Sequence, residues 1–220
     1  MPILPIHALV SNFLTLVERL FAETAQQNIS LAVPLQTASV HLRAVQLMGE
    51  PALSPRVLPV CRYLPLALTA GKAIAGLADA LQPLLPALAW IQNPNYQPNT
   101  IPPTFLDNYG YADIISRRGL FAADALAMGI LLLGPHTEYP PHVHPAAEIY
   151  YTIGGACHCW QTGQAWTQQG AGSVVYHPSG VVHAMRTLDE PVCLLYIWWG
   201  DVQIAARLTQ SEGCTAKMKN

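Results

Sequence analysis

Charge is what this 220-residue chain has least of: only 11% of its residues are Asp, Glu, Lys or Arg. About a quarter is usual for a soluble protein, so the chain has material for a large apolar core and little for a charged surface. The net charge is -2, and no acidic tail is present. Without a basic excess, a nucleic-acid backbone is an unsuitable partner. The basic residues of the first half, Arg19, Arg43, Arg56, Arg62 and Lys72, are scattered, which also argues against a DNA-reading module.

Long uninterrupted apolar runs are missing too. The greasiest stretch, LPLALTAGKAIAGLADALQPLLPALAWI, is broken by Lys72, Asp79, Pro83 and Pro86. A membrane span needs about 20 apolar residues in a row, so a buried helical hairpin is the expectation. The opening MPILPIHALVSNF lacks a basic segment ahead of its apolar residues and an evident cleavage site, which is unlike a secretory signal. The five cysteines, Cys61, Cys157, Cys159, Cys193 and Cys214, include no C-x-x-C pair. Reduced thiols and a cytoplasmic setting are expected rather than a disulfide framework. Cys157 and Cys159 flank His158 and would share a strand face, as two small buried side chains or as soft-metal ligands.

Two textures are present. Residues 8 to about 93 read as helical. SNFLTLVERLFAETAQQN places Ser11 as an N-cap ahead of apolar residues near helical spacing. LQTASVHLRAVQLMG gives a second helix with Gly49 at its end and Pro51 just after, and the proline-broken stretch gives one or two more. IQNPNYQPNTIPPTF, residues 91–105, holds four prolines and three asparagines and reads as a connector. Beyond it, short apolar runs alternate with glycine, proline and polar turns: ALAMGILLLG, EIYYTIGG, ACHCWQTG, GSVVYHPSG and VCLLYIWWG. Such spacing of branched and aromatic runs marks an all-β sandwich or barrel. The expected organisation is a helical region over residues 1–95, a β-barrel over 105–205 and a tail over 206–220.

Against this charge-poor background stands YPPHVHPAAEIYY, residues 139–151. On an extended strand His142, His144, Glu148 and Tyr150 share one parity and so one face, although Pro145 predicts a break. His-x-His projects two imidazoles the same way about 7 Å apart, a spacing suited to metal binding, and a carboxylate four residues on can complete the set. A fourth ligand would come from His183 in GSVVYHPSGVVHAMRT. Histidine and carboxylate ligands suit Zn, Fe, Mn, Co or Ni without choosing among them. The other histidines, His7, His41, His136, His158 and His177, read as surface or hydrogen-bonded residues.

These two segments resemble the paired motifs of the cupin superfamily. The first is carried by Gly134, His142, His144, Glu148 and Gly155, the second by Gly172, Pro178, Gly180 and His183. Thr187 stands where that superfamily often has Asn. The resemblance implies an antiparallel jelly-roll barrel, a double-stranded β-helix, with one divalent metal held by His142, His144, Glu148 and His183. More narrowly, Tyr139, His142, His144, Glu148 and Tyr150, with His183, Ala184 and Thr187, resemble the cupin-type dimethylsulfoniopropionate (DMSP) lyases. A helical segment before the barrel also fits that group.

That resemblance implies an enzyme that eliminates dimethyl sulfide from DMSP and leaves acrylate. Tyr150 is the candidate base and Tyr139 the candidate for orienting the substrate. His142 stands in two roles, metal ligand or substrate contact, because four protein ligands plus a substrate would crowd one ion. Trp160, Trp166, Tyr196, Trp198 and Trp199 are candidate walls for a cationic group. The rival readings are another metalloenzyme on the same ligands, such as a dioxygenase or sugar isomerase, and a non-catalytic small-molecule-binding cupin. A small-molecule substrate is the expected partner, and the N-terminal helices are expected to cover the barrel or form a homodimer interface.

Overall fold

The structure, a computed structural model, describes residues 4–48, 54–69 and 73–209. Helix α1 spans Ile6–Gln27 and buries Val10, Phe13, Val17 and Phe21, a stripe spaced three and four residues apart. It therefore begins five residues ahead of Ser11, the expected N-cap, because Val10 already belongs to that stripe. Helix α2, Ile29–Arg43, starts at once after Asn28, whose side chain accepts a hydrogen bond from Ser30 N at 3.2 Å. It starts earlier than expected, holds Pro34 inside it and ends at Arg43, short of the expected end at Gly49; Gly49 and Pro51 themselves lie outside the described residues.

The proline-broken stretch does not form long helices. Among the described residues it is a series of short turns: a 3-10 segment at Pro59–Tyr63, α3 at Leu64–Ala67, α4 at Ala75–Leu81 and a second 3-10 segment at Gln82–Ala87. Each proline lacks a backbone donor and crowds the preceding turn, so the helix restarts instead of running on. No helix among the described residues is long and apolar enough to cross a membrane. A fifth short helix, α5, spans Pro103–Asp107.

Among the described residues nine strands follow: β1 Tyr109–Ile115, β2 Leu126–Leu133, β3 Glu138–Val143, β4 Ala147–Gln161, β5 Thr167–Gly170, β6 Val174–His177, β7 His183–Arg186, β8 Val192–Trp199 and β9 Arg207–Leu208. They pair antiparallel in the order β1-β2-β8-β4-β7-β3-β9, with β5 and β6 also on β4. This is the curled antiparallel sheet, preceded by helices, that the cupin resemblance implies. The runs EIYYTIGG and ACHCWQTG, which read as two strands, are one 15-residue strand, β4. Its register against β8 shifts between Thr152 and Gly154. Up to Gly155 β4 pairs with β8, and over Glu148–Tyr151 with β6 as well; from Ala156 onward it pairs with β5 and β7. One strand thus serves two sheet faces, and the shift supplies the bend that curls them together.

Side-chain parity follows the bend. Ile149, Tyr151 and Ile153 point to the helices and join the core formed with Phe13, Phe21 and Leu77. Tyr150, and beyond the shift Cys157 and Cys159, point into the curled sheet. The two cysteine sulfurs lie 3.7 Å apart inside that apolar interior, as the shared face predicted. Cys61, Cys157, Cys159 and Cys193 are free thiols, and Cys214 lies outside the described residues. The connector at 91–105 is also structural. Ile91 bridges to Tyr111, and Tyr96 and Phe105 are buried in the sheet interior.

Gly155 sits at the bend with φ +76°, and a Cβ there would lie 1.9 Å from Pro191 O. Gly155→Ala is expected to lower stability by about 1–3 kcal/mol, through left-handed strain and overlap with a neighbouring backbone. Denaturant unfolding measures this, and an unchanged midpoint would show that the bend tolerates a side chain.

Candidate metal centre and active-site cavity

The first motif is laid across a strand, a turn and a strand. His142 is next to last in β3, His144 lies in the turn after it, and Glu148 and Tyr150 lie on β4. His183 opens β7, opposite His142 in the β3–β7 register. The loop between β6 and β7 is pinned to the first motif, with Gly180 N donating to His144 O at 3.0 Å and Ser179 Oγ to Pro145 O at 2.5 Å. Thr187 closes the other end of the same strand pair: its Oγ1 donates to Gly134 O at 2.5 Å and accepts from Thr137 N at 2.9 Å. A short hydroxyl that both gives and takes a hydrogen bond here explains how threonine serves at this position.

His144, Glu148 and His183 converge, with one ligand atom from each lying within 4.8 Å of the others. His144 Nε2 and His183 Nε2 stand 3.2 and 3.3 Å from Glu148 Oε2. All three residues are buried. Their Nδ1 atoms are already used: His144 Nδ1 donates to Ala146 O and His183 Nδ1 to Val181 O, each at 3.0 Å. A carbonyl can only accept, so the proton is on Nδ1 and the neutral ring turns its Nε2 lone pair inward. His183 Nε2 is buried without a hydrogen-bond partner.

Two lone pairs then face a carboxylate oxygen, an arrangement that requires a cation or extra protons between them. Two imidazoles and one carboxylate, with tautomers fixed by carbonyls behind them, fit a first-row divalent metal ion. Burial pushes the Glu148 carboxyl up; protonated His144 and His183 rings, by hydrogen bonding and charge, would outweigh that and hold it well below the usual range, and a cation held between the three would act in the same direction. The other Glu148 oxygen accepts from Trp198 Nε1 at 2.5 Å, and the Trp198 ring stacks on His144 at 4.0 Å. One tryptophan therefore orients two members of the cluster.

His142 is beside this cluster but not in it. Its ring is 4.1 Å from His183 and 6.4 Å from His144, and its Nδ1 donates to Pro140 O at 2.8 Å. Burial, then the neighbouring His183, lowers its pKa well below the ordinary value. Tyr139 stacks on His142 at 4.0 Å with the rings nearly parallel. Its hydroxyl lies 3.0 Å from that of Tyr96. Tyr150 is buried on the same side of β4 as Glu148, with its ring centroid 6.4 Å from His183.

These groups border a cavity of about 440 Å³, lined among others by Tyr139, His142, Glu148, Tyr150, Tyr196 and Trp198. Of the candidate walls, Tyr196 and Trp198 line it. Trp160 and Trp166 pack together in a separate cluster, and Trp199 stacks on Tyr176 against the helices. Asp113 and Tyr111 line the cavity and carried no local motif in the sequence. Tyr96 was hidden in the connector. His177 is hydrogen-bonded, to Gln161 at 2.9 Å, but it is also buried with its ring stacked 4.0 Å from His183.

Residues 36–195 match the family model for DMSP lyases. The chain belongs to the DMSP lyase family, and it is an enzyme of the lyase class. It is 32% identical over 185 residues to the DMSP lyase DddQ of Ruegeria pomeroyi, covering 80% of this chain and 91% of that protein. It is 31% identical over 177 residues to the putative DMSP lyase DddL of Cereibacter sphaeroides, covering 76% and 73% of the two chains. The crystal structure of DddQ from R. pomeroyi superposes with a TM-score of 0.70 at 28% identity, over 91% of this chain and 98% of that one. The family agrees with the resemblance to DMSP lyases seen in the sequence, and the dioxygenase and sugar-isomerase readings lose their support.

His144→Ala and His183→Ala are each expected to strip most bound metal, because each removes one of three converging ligand atoms. Trp198→Phe keeps all three but frees a Glu148 oxygen, and is expected to weaken metal affinity by about 10- to 100-fold. Elemental analysis of the purified variants, followed by chelator competition, measures both effects. Full occupancy in both histidine variants would remove them as ligands.

Proposed function

We propose that this enzyme is a metal-dependent DMSP lyase, which converts DMSP to dimethyl sulfide and acrylate. The observation that carries it is the buried His144–Glu148–His183 cluster, whose Glu148 lines the same cavity as Tyr139 and Tyr150. His144, Glu148 and His183 would hold one divalent ion of the Zn, Fe, Mn, Co or Ni class, with His142 at its edge as a fourth ligand or a substrate contact. When bound, that ion supplies positive charge that withdraws electrons from the substrate carboxylate and favours the phenolate of a nearby tyrosine.

The chain's own residues then have separable tasks. DMSP places its scissile C–S bond one carbon beyond the carbon that loses a proton. Tyr150 is the base that takes that proton. Burial, then the Glu148 charge, pushes the Tyr150 phenol well above its usual value, so a cation held by the cluster would be needed to favour its phenolate. The C–H electron pair forms the new double bond, the C–S pair leaves on sulfur as neutral dimethyl sulfide, and the proton stays on Tyr150. Tyr139, clamped between the His142 ring and the Tyr96 hydroxyl, orients the substrate carboxylate. The aromatic interior of Tyr96, Phe105 and Tyr109 keeps water from that wall.

Headspace detection of dimethyl sulfide from metal-loaded protein given DMSP is the direct test. Tyr150→Phe is expected to keep the metal and lose at least about a thousand-fold in turnover, in line with removal of a positioned base. Equal rates in the variant would take Tyr150 out of the mechanism. Tyr139→Phe is expected to lower kcat/KM while metal content stays unchanged, and unaltered kinetics would leave Tyr139 a packing residue.

A further inference from the structure

The cavity has a second polar end. Asp113, Gly129, Tyr196 and Tyr150 occupy one row of the register across β1, β2, β8 and β4. Successive members of such a row are about 4.8 Å apart. Three of the four carry side chains, and all three line the cavity. Gly129 is the gap between the other two neighbours. A Cβ there would lie 2.7 Å from the Tyr196 hydroxyl and 2.1 Å from Ala112 O. That empty position lets the Tyr196 phenol cross β2 and donate to Asp113 Oδ1.

Ser116 Oγ donates to the other oxygen of Asp113 at 2.8 Å. Both oxygens accept from neutral hydroxyls. Among the described residues no Lys, Arg or His nitrogen lies within 4 Å of them, while Arg117 is paired with Asp124 instead. Arg118, exposed at the rim, is the cation that acts on Asp113 from a distance. Burial pushes the Asp113 carboxyl up, opposed by the Tyr196 and Ser116 hydrogen bonds and then by Arg118. A carboxylate that is oriented, partly desolvated and touched by no cation is costly to keep in a ligand cavity unless it meets one. Aromatic faces stand around it: Tyr111 and Tyr196 meet edge to face at 6.0 Å, with Trp198 6.5 Å from Tyr196.

We propose that Asp113, held by Tyr196 and Ser116, is the specificity-determining residue that recognises the onium end of the substrate. The inference rests on reading this cavity as the substrate site of a DMSP lyase. An onium ion has no N–H to donate, so a hydrogen-bond acceptor cannot select it by geometry. A fixed anion among aromatic faces selects it by charge. The two ends of the cavity then match a zwitterion: the carboxylate goes to the His144–Glu148–His183 end and the cation to the Asp113 end. Cleavage also removes the attraction, because dimethyl sulfide is neutral and acrylate carries no cation.

The test uses two ligands of one shape that differ by one charge, 3-(trimethylammonio)propanoate and 4,4-dimethylpentanoate, titrated calorimetrically into metal-loaded protein. The native protein is expected to bind the cationic ligand at least about ten-fold more tightly, against the hydrophobic bias toward the neutral one. Asp113→Asn is expected to bring the two within about two-fold, and a purely structural role would shift both affinities together. Asp113→Ser removes the same charge if the asparagine variant does not fold. No preference in the native protein, or a preference that survives loss of the charge, overturns the proposal. Dimethyl sulfide release is followed in parallel. Cleavage of DMSP without the charge preference discards the Asp113 role and leaves the lyase. The preference without cleavage keeps the onium site and discards DMSP as the substrate.

Discussion

The constraint on which the rest of this structure depends is a buried negative charge. Glu148 is 1% exposed and meets two imidazole nitrogens that turn lone pairs toward it. Such an arrangement is unfavourable in a low-dielectric interior without a cation. Everything around it fixes that geometry in advance. Backbone carbonyls hold the Nδ1 protons of His144 and His183, and Trp198 holds the second carboxylate oxygen. The β6–β7 loop hydrogen-bonds to the turn that carries His144. Removing any one of these supports would leave a buried polar group to find a new partner.

Strand β4 makes this possible mechanically. Its register shift at Thr152–Gly154 lets one strand bond to β8 and β6 on one side and to β7 and β5 on the other. The curl brings His183, which is 35 residues from Glu148 in sequence, against that carboxylate. The outer face of the same strand, through Ile149, Tyr151 and Ile153, is the floor for the N-terminal helices. Those helices support the sheet from behind, while the connector at 91–105 reaches the inside and brings Tyr96 to Tyr139.

The cavity is therefore polar at both ends and aromatic between them. The histidine cluster requires positive charge from outside the protein, and the Asp113 end offers a carboxylate that no protein cation among the described residues contacts. With a divalent ion in the cluster, a substrate with a carboxylate and a fixed cation a few bonds apart would meet both ends. A carboxylate without the cation would meet only one, a physical basis for discrimination and for product release.

The motif residues were legible in the sequence because their spacing is local. Period-two parity placed Glu148 and Tyr150 together, and His144 and His183 lie where the cupin-like segments put them. The helical and β textures were also readable, since periodicity and proline placement are local properties. The single strand β4 was not, because Gly154–Gly155 reads as a turn until pairing partners on both sides show it to be a bend. The start of α1 at Ile6 depended on a tertiary core for Val10 to join. Asp113, Tyr96 and His177 carry no nearby pattern: the register across β1, β2, β8 and β4 places Asp113 at the cavity, the path of the connector brings Tyr96 to Tyr139, and the β4–β6 pairing sets His177 against His183. Local spacing determines which residues face one side of a strand; which strands become neighbours, and so which charges meet, is decided by long-range pairing and burial that one strand's residues do not contain.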